Sequence, residues 1–157
     1  TLVIVRKDLL GKSGRPIPTM LDYRTQIAKE SMFNTPPVFP IYVSMLTMRW
    51  VKENGGVAAM ATINEAKAKL IYDEIDANPL FEGITAIEDR SLMSVTFKMK
   101  NTEMEAAFLE ACATADCVGI KGHRSVGGFR ASIYNAMPIE SVQVLVDVMK
   151  DFASKNA

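Results

Sequence analysis

The sequence predicts an α/β protein whose C-terminal part is a small α+β domain, a small sheet covered by helices, and three observations support this. Apolar residues recur at helical spacing over 57–77 and again after Pro138. Between them, apolar and polar residues alternate with period two over 93–99, which is typical of a strand with one buried face. From Gly56 onward the predicted order is helix, strand, helix, strand, strand, helix, which fits helices on one side of a sheet.

Composition narrows the classes of partner. The 157 residues are 48% hydrophobic and 23% charged, which is enough for a buried core. The 18 basic and 18 acidic residues balance and form no basic block, so we expect neither nucleic-acid binding nor an electrostatic membrane anchor. No apolar run approaches the ~18 residues of a membrane span, and no stretch resembles a signal peptide. We therefore expect a cytoplasmic protein.

The cysteines predict no metal site. Cys112 and Cys117, together with the single histidine, His123, lack a fourth ligand. We expect two free, buried or half-buried thiols in a reducing cytosol, with a disulfide between them as the alternative.

The first third of the chain is predicted to belong to a larger domain. Residues 1–6 read as an apolar strand of the kind that is covered on both faces, so we expect the chain to be the C-terminal part of a longer polypeptide. The segment 21–31 has no clear pattern. A helix is predicted from Phe39 or Pro40 to Asn54, and Gly55 is placed for a left-handed cap. We place the domain boundary here, giving domains 1–53 and 54–157.

The helices and strands are predicted from apolar periodicity. A capping box at 102–105 opens a helix, 118–120 reads as a short strand, and in the strand 130–134 Arg130, Ser132 and Tyr134 share one face. The charged residues of the helix predicted over 57–77 are expected to form a solvated face. The residues predicted for apolar helix faces are Ile41, Met45, Leu46, Met48, Trp50, Val51, Met60, Ile63, Leu70, Ile71, Val142, Leu145, Val146, Met149 and Phe152, and those predicted for the solvated face are Glu65, Lys67, Lys69 and Asp73.

The stretch 122–135 carries the strongest chemical signal. It places His123 and Arg124 before a Gly-Gly pair and Arg130 after it. A guanidinium is a planar fork that binds carboxylate or phosphate with two hydrogen bonds. These side chains could surround one small dianion or bind an anion at each end. Arginines that simply sit in solvent are the alternative.

A second candidate site is the segment 33–37, with the sequence F-N-T-P-P. Pro36 disfavours helical backbone at Thr35, so the segment is predicted to be extended and to leave Asn34 and Thr35 free to present donors. A plain lead-in to the following helix is the alternative.

Both stretches resemble the phosphoserine aminotransferase family. Residues 121–137 are similar to its C-terminal signature, close to K-G-H-R-x-V-G-G-x-R-A-S-I-Y-N-A-M, with Ser125 and Phe129 in the variable positions. Residues 31–37 resemble the family's S-M-F-N-T-P-P loop. The resemblance covers nearly the whole chain. It implies the C-terminal part of a fold type I, pyridoxal-phosphate-dependent aminotransferase, with 1–53 as the end of the large cofactor domain and its connecting helix, and 54–157 as the small domain.

The family's chemistry supplies further expectations. The family transfers an amino group from glutamate to 3-phosphohydroxypyruvate, giving phosphoserine and 2-oxoglutarate in serine biosynthesis, and in many bacteria it also serves pyridoxal-phosphate synthesis. By resemblance, His123 and Arg124 bind the substrate phosphate and Arg130 binds the α-carboxylate. Asn34 and Thr35 contact the phosphate of pyridoxal phosphate bound in the neighbouring subunit, which implies a homodimer.

The resemblance also implies that the chain is only part of an enzyme. The family's cofactor-binding lysine precedes the matching region, so no catalytic residue is expected in this chain, and its expected partner is the N-terminal portion of the same enzyme. Without that portion it would be inactive. A stand-alone anion-binding or regulatory module is the alternative, and a purely structural interaction domain is a third reading.

Overall fold

The computed structural model describes residues 1–156 and contains two compact units. The first unit comprises Thr1–Arg49 and the second begins at Trp50. Helix α2, Val38–Glu53, runs across this division. The assignment of 1–53 to a cofactor domain and of 54–157 to a small domain stays a prediction.

The first unit consists of short helices without a buried core. It contains 3₁₀ helices at Lys7–Leu9 and Thr19–Leu21 and helix α1 at Tyr23–Ala28, in the segment that had no clear pattern. None of residues 1–49 is buried. The predicted strand over 1–6 is wrong for this structure. The segment pairs with no strand among the described residues, and a strand requires such a ladder partner.

Helix α2 confirms the predicted helix but not its predicted burial. Asn54 Nδ2 donates to Trp50 O at 2.8 Å, and Gly55 follows with φ +90°, the predicted left-handed cap. The predicted apolar stripe is not a core, because no residue of α2 is buried and Met45 is only half-buried. No layer in the described part of the chain covers this face.

The second unit is built on a three-stranded antiparallel sheet of order β1-β2-β3. The strands are β1 Phe81–Gly83, β2 Ser94–Met99 and β3 Phe129–Ser132. Thr96 of β2 pairs with Arg130 of β3, and Phe97 pairs with Phe129. Along β2, Val95, Phe97 and Met99 are buried while the residues between them are half-buried or exposed. The alternation therefore leaves one face of the sheet for the core, as predicted.

Helices α3 Gly56–Ala77, α4 Glu105–Thr114 and α5 Ile139–Asn156 complete the core with the buried face of the sheet. The predicted stripe of α5 is fully confirmed as buried. Phe108 of α4 lies at the centre of an aromatic cluster, with ring centroids 4.9 Å from Phe81, 5.0 Å from Phe129 and 5.4 Å from Phe152. Burying each such ring contributes roughly 1.5–3 kcal/mol. The predicted arrangement, helices covering a small sheet, is confirmed.

One strand of this unit was missed, and two local predictions are wrong. Strand β1 is too short to show a period of two and was not predicted. Residues 118–120 do not form a strand, since only Lys121 makes an isolated bridge, to Phe129. The helix after β2 is capped by Asn101, whose Oδ1 accepts from Glu103 N at 3.1 Å, instead of by Thr102. A 3₁₀ turn at Thr102–Met104 precedes α4 proper.

Helix α3 also differs from its predicted faces. Lys67, predicted for the solvated face, is buried, whereas Ile63, predicted for the apolar face, is 40% exposed. Among the residues described here, no helix is both long and apolar enough to cross a membrane.

Candidate functional site

The first part of the signature is a tight antiparallel loop, 122–128, which we call the signature loop. It brings the chain back beside itself directly before β3, so that His123 and Arg124 lie at the tip and Arg130 lies on the strand. The main-chain hydrogen bonds that close it run from Gly122 N to Gly128 O (2.8 Å), from Gly127 N to His123 O (2.8 Å) and from Arg130 N to Ile120 O (2.7 Å).

Glycines make this close approach possible. A Cβ on Gly122 would lie 2.2 Å from Gly127 O, closer than any real side chain is found. Gly127 and Gly128 have φ of +78° and +60°, where L side chains are disfavoured. The Gly-Gly pair in the sequence therefore shapes the loop.

The tip of the loop presents donors to solvent. His123, Arg124 and Ser125 are exposed. His123 Nδ1 lies 2.7 Å from Ser125 Oγ, so this nitrogen ties the ring to the loop. Arg124 takes part in none of the ion pairs found within residues 1–156. The pair can therefore bind an anion without first breaking a salt bridge.

Arg130 lies at the other end of the loop. On β3, Phe129 and Ala131 point into the core, and Ile133 beyond the strand is buried too, so the predicted alternation is confirmed. Arg130 is exposed on the opposite face and also lacks an ion-pair partner in the described part of the chain. Arg124 and Arg130 therefore present their guanidinium groups from different parts of the signature, the tip of the loop and the strand.

A cavity of about 430 Å³ adjoins Arg130, and we call it the Arg130 cavity. Its other walls come from the segment before the signature loop, from the segment after β3 and from α5, which also contributes a hydroxyl. The residues that line it are Asp116, Cys117, Val118, Gly119, Ile120, Arg130, Ala131, Ser132, Ile133, Met137, Ser141, Val142 and Leu145. A guanidinium beside a mostly apolar cavity suits a small carboxylate with an organic body.

In the first unit, the segment predicted to be extended bends at Phe33 and Asn34, and Thr35 follows without regular structure shortly before α2 begins. Asn34 and Thr35 are both exposed, and neither side chain makes a hydrogen bond to another described residue. The bend before them includes Glu30 and Ser31 with φ of +50° and +67°, an uncommon backbone for residues other than glycine. The amide and the hydroxyl are suitable donors for a phosphate, so this segment fits a phosphate-bearing cofactor.

One buried lysine near the signature escapes the sequence-based prediction. Lys67 of α3 is 0% exposed, and its Nζ donates to three main-chain carbonyls just after β3. The helical periodicity contains a signal for it, because Lys67 falls between Asn64 and Ile71 at the 3–4 spacing of the buried stripe. At this residue, position along the helix is a better guide to burial than charge.

The fold and these residues identify the class of protein. The family described as Aminotransferase class-V matches residues 1–145. The chain therefore belongs to the class-V aminotransferase family.

Its similar relatives narrow the comparison further. It is 59% identical over 155 residues to the phosphoserine aminotransferase of Flavobacterium johnsoniae, covering 99% of this chain and 44% of that protein. It is 56% identical over 158 residues to that of Porphyromonas gingivalis, again covering 99% and 44%. The chain thus spans less than half the length of these curated relatives.

Solved structures of phosphoserine aminotransferases are also similar to this chain. A phosphoserine aminotransferase from Bacillus circulans subsp. alkalophilus superposes with a TM-score of 0.89 at 43% identity, covering 98% of this chain and 43% of that one. A PLP-bound phosphoserine aminotransferase from Trichomonas vaginalis gives a TM-score of 0.83 at 42% identity, covering 93% and 42%.

Proposed function

We propose that this chain acts as part of a pyridoxal-phosphate-dependent phosphoserine aminotransferase. The observation that carries the proposal is the exposed pair of guanidinium groups at the two ends of one glycine-shaped loop, in a chain 59% identical to an enzyme of that name. The reaction exchanges an amino group between glutamate and 3-phosphohydroxypyruvate in the cytoplasm, for serine biosynthesis and also for pyridoxine biosynthesis. The remaining portion of the enzyme supplies the cofactor-binding lysine.

The two ends of the loop take different groups of the substrate. His123 and Arg124 bind the phosphate, because a dianion suits two adjacent donors at an exposed tip. Arg130 binds the α-carboxylate, which glutamate and phosphoserine share, so one arginine serves both half-reactions. The apolar walls of the Arg130 cavity lie beside this guanidinium and suit the organic body of the substrate.

Asn34 and Thr35 are the residues of this chain that would contact the cofactor. Pyridoxal phosphate, when bound, supplies a ring that withdraws electrons from the substrate's α-carbon. Asn34 and Thr35 hold its phosphate from the neighbouring subunit of a homodimer, and their exposed donors support this. Arg130 then orients the substrate by its carboxylate, and the tip residues fix its far end.

Single-turnover rates of the two half-reactions test the division between the arginines. The protein to use is the complete enzyme, a polypeptide that joins this chain to the portion of its relatives that it does not cover. Lysine keeps the charge but loses the fork, so a bond of roughly 1.5–3 kcal/mol is at stake, or about ten- to a hundredfold in kcat/KM. We expect Arg124→Lys to slow the phosphoserine half-reaction and to affect the glutamate half-reaction little.

Arg130→Lys should slow both half-reactions to a similar extent. Arg90→Lys is the matched control, because the Arg90 guanidinium is already held by Asp76 through two 2.7 Å bonds and should change neither rate. Equal slowing of both half-reactions by Arg124→Lys, with Arg130→Lys affecting only phosphoserine, would reverse the assignment.

Mixed dimers test the role of Asn34 and Thr35. One subunit carries Asn34→Ala and Thr35→Ala, and the other lacks the cofactor-binding lysine. If the loop serves the neighbouring subunit, one of the two sites combines an intact loop with an intact lysine. We expect the mixed dimer to regain about half the wild-type activity per dimer. A mixed dimer no more active than its inactive parents would place the loop in its own subunit's site.

A further inference from the structure

Lys67 is a buried ammonium whose partners are all main-chain carbonyls. Its Nζ lies 3.1 Å from Ile133 O, 2.7 Å from Tyr134 O and 3.1 Å from Met137 O. An ammonium has three N–H donors, so these three bonds use all of them. No carboxylate among the described residues pairs with it. Burial lowers the pKa of Lys67.

The segment that Lys67 holds lies where the sheet no longer provides support. Strand β3 ends at Ser132, and the ladder with β2 ends there as well. Beyond the ladder, Ile133 N donates to the carbonyl of Met93, the residue just before β2, at 3.0 Å. A second tie comes from α3 one turn before Lys67, where Asn64 Nδ2 donates to Asn135 Oδ1 at 2.7 Å. Helix α3 therefore fixes 133–137 through two side chains.

Two of the three carbonyl residues are walls of the Arg130 cavity. Ile133 and Met137 line it together with Arg130. If the carbonyl of Ile133 or Met137 shifts, the side chain of the same residue shifts with it. The space beside the Arg130 guanidinium then changes. A buried charge is a weak device for stability alone, since an apolar side chain of the same volume often serves as well. Its geometric effect is specific, because one group fixes three carbonyls at once.

We propose that Lys67 is a positioning residue for the Arg130 cavity: by holding the carbonyls of Ile133 and Met137, it sets the shape of the space in which Arg130 receives the substrate's α-carboxylate. This inference rests on the proposed function of Arg130. Lys67 does not touch the substrate. It acts through the cavity wall.

A double-mutant cycle in the complete enzyme tests this. Lys67→Met keeps the length of the side chain and removes its donors. We expect kcat/KM to fall by up to about a hundredfold for glutamate and phosphoserine alike, as misplaced binding groups do. When Lys67→Met is combined with Arg130→Lys, kcat/KM should fall little below the value for Arg130→Lys alone, because both changes damage the same contact. Lys69→Met, two residues along α3 at an exposed lysine, is the control and should leave both values unchanged.

The outcomes separate the two proposals. If Arg130→Lys alone has no effect, the proposed function of Arg130 fails. If Arg130→Lys impairs both substrates while Lys67→Met has no effect, or while the two losses multiply, the positioning role is overturned and the proposed function survives. If Lys67→Met does not fold, Lys67→Gln, which retains two N–H donors, carries the same cycle with the same criteria.

Discussion

Cys112 and Cys117 differ in chemistry because of their depth. Cys112 is 1% exposed in the core, and burial raises its pKa to about 12. Cys117 is half-buried on the Arg130 cavity, and burial raises its pKa as well, with a contribution from Asp116. Both are free, as predicted, so the alternative of a disulfide does not hold. The thiolate is the reactive form, so both thiols are poor nucleophiles at neutral pH.

The rates of thiol labelling should reflect the difference in burial between Cys117 and Cys112. With iodoacetamide at a mildly alkaline pH, we expect Cys117 to be alkylated slowly and Cys112 only after unfolding, because access and thiolate fraction both favour Cys117. Peptide mass spectrometry at several times gives the two rates. Cys117→Ala should abolish labelling of the folded protein. Labelling of Cys112 as fast as that of Cys117 would show that the core around α4 opens readily.

At the scale of elements, the signature loop permits a test of close contact against backbone strain. Gly127 has a positive φ, but a Cβ added there would meet no atom within 4 Å, whereas Gly122 has the 2.2 Å contact without a positive φ. Gly127→Ala should therefore cost about 1–2 kcal/mol in stability, the usual penalty for left-handed backbone. Gly122→Ala should cost more, since the loop must open.

Chemical denaturation measures the two costs, and the phosphoserine half-reaction measures their effect on the tip. We expect Gly127→Ala to keep measurable turnover and Gly122→Ala to lose it. Gly127→Asn is the control, because asparagine tolerates left-handed backbone better than alanine. Equal stability of the two alanine variants would contradict the loop geometry.

Elements with a long period were predictable, and those that depend on distant partners were not. Strand β2 and helix α5 each carry enough alternating or periodic positions to define their buried face. Strand β1 has only three residues, and the segment 1–6 lacks the ladder partner that would make it a strand. The residues of the candidate site also fall into a group that the sequence predicts and one that it does not. His123, Arg124 and Arg130 share one local motif, whereas Lys67 reaches the signature across 66 residues of sequence.

At the scale of the whole molecule, the two units differ in how much they bury. The unit that begins at Trp50 contains the aromatic cluster and the covered sheet, while Thr1–Arg49 has no buried residue. Burial of apolar surface is the main favourable term in folding. We therefore expect a fragment 50–157 to fold alone and a fragment 1–49 to remain unfolded. Circular dichroism and amide proton dispersion would decide this.

Phe108→Ala is the control for that experiment, because removing the central ring should cost about 3–5 kcal/mol, a large part of the stability of a domain of this size, and should clearly lower the unfolding midpoint of the fragment 50–157. A cooperative unfolding transition in the fragment 1–49, or its absence in the fragment 50–157, would contradict the division.

The complete enzyme should show transaminase activity, and this chain alone should show none.

The alternation along β3 has a consequence for anyone who redesigns the substrate range by directed evolution. Neighbouring positions along β3 and the two residues after it meet different requirements, since Phe129, Ala131 and Ile133 support the core whereas Arg130, Ser132 and Tyr134 lie on the other face. A library randomised at every position would lose most members to misfolding. One restricted to Ser132 and Tyr134, with Arg130 retained for the α-carboxylate, would direct its diversity to recognition.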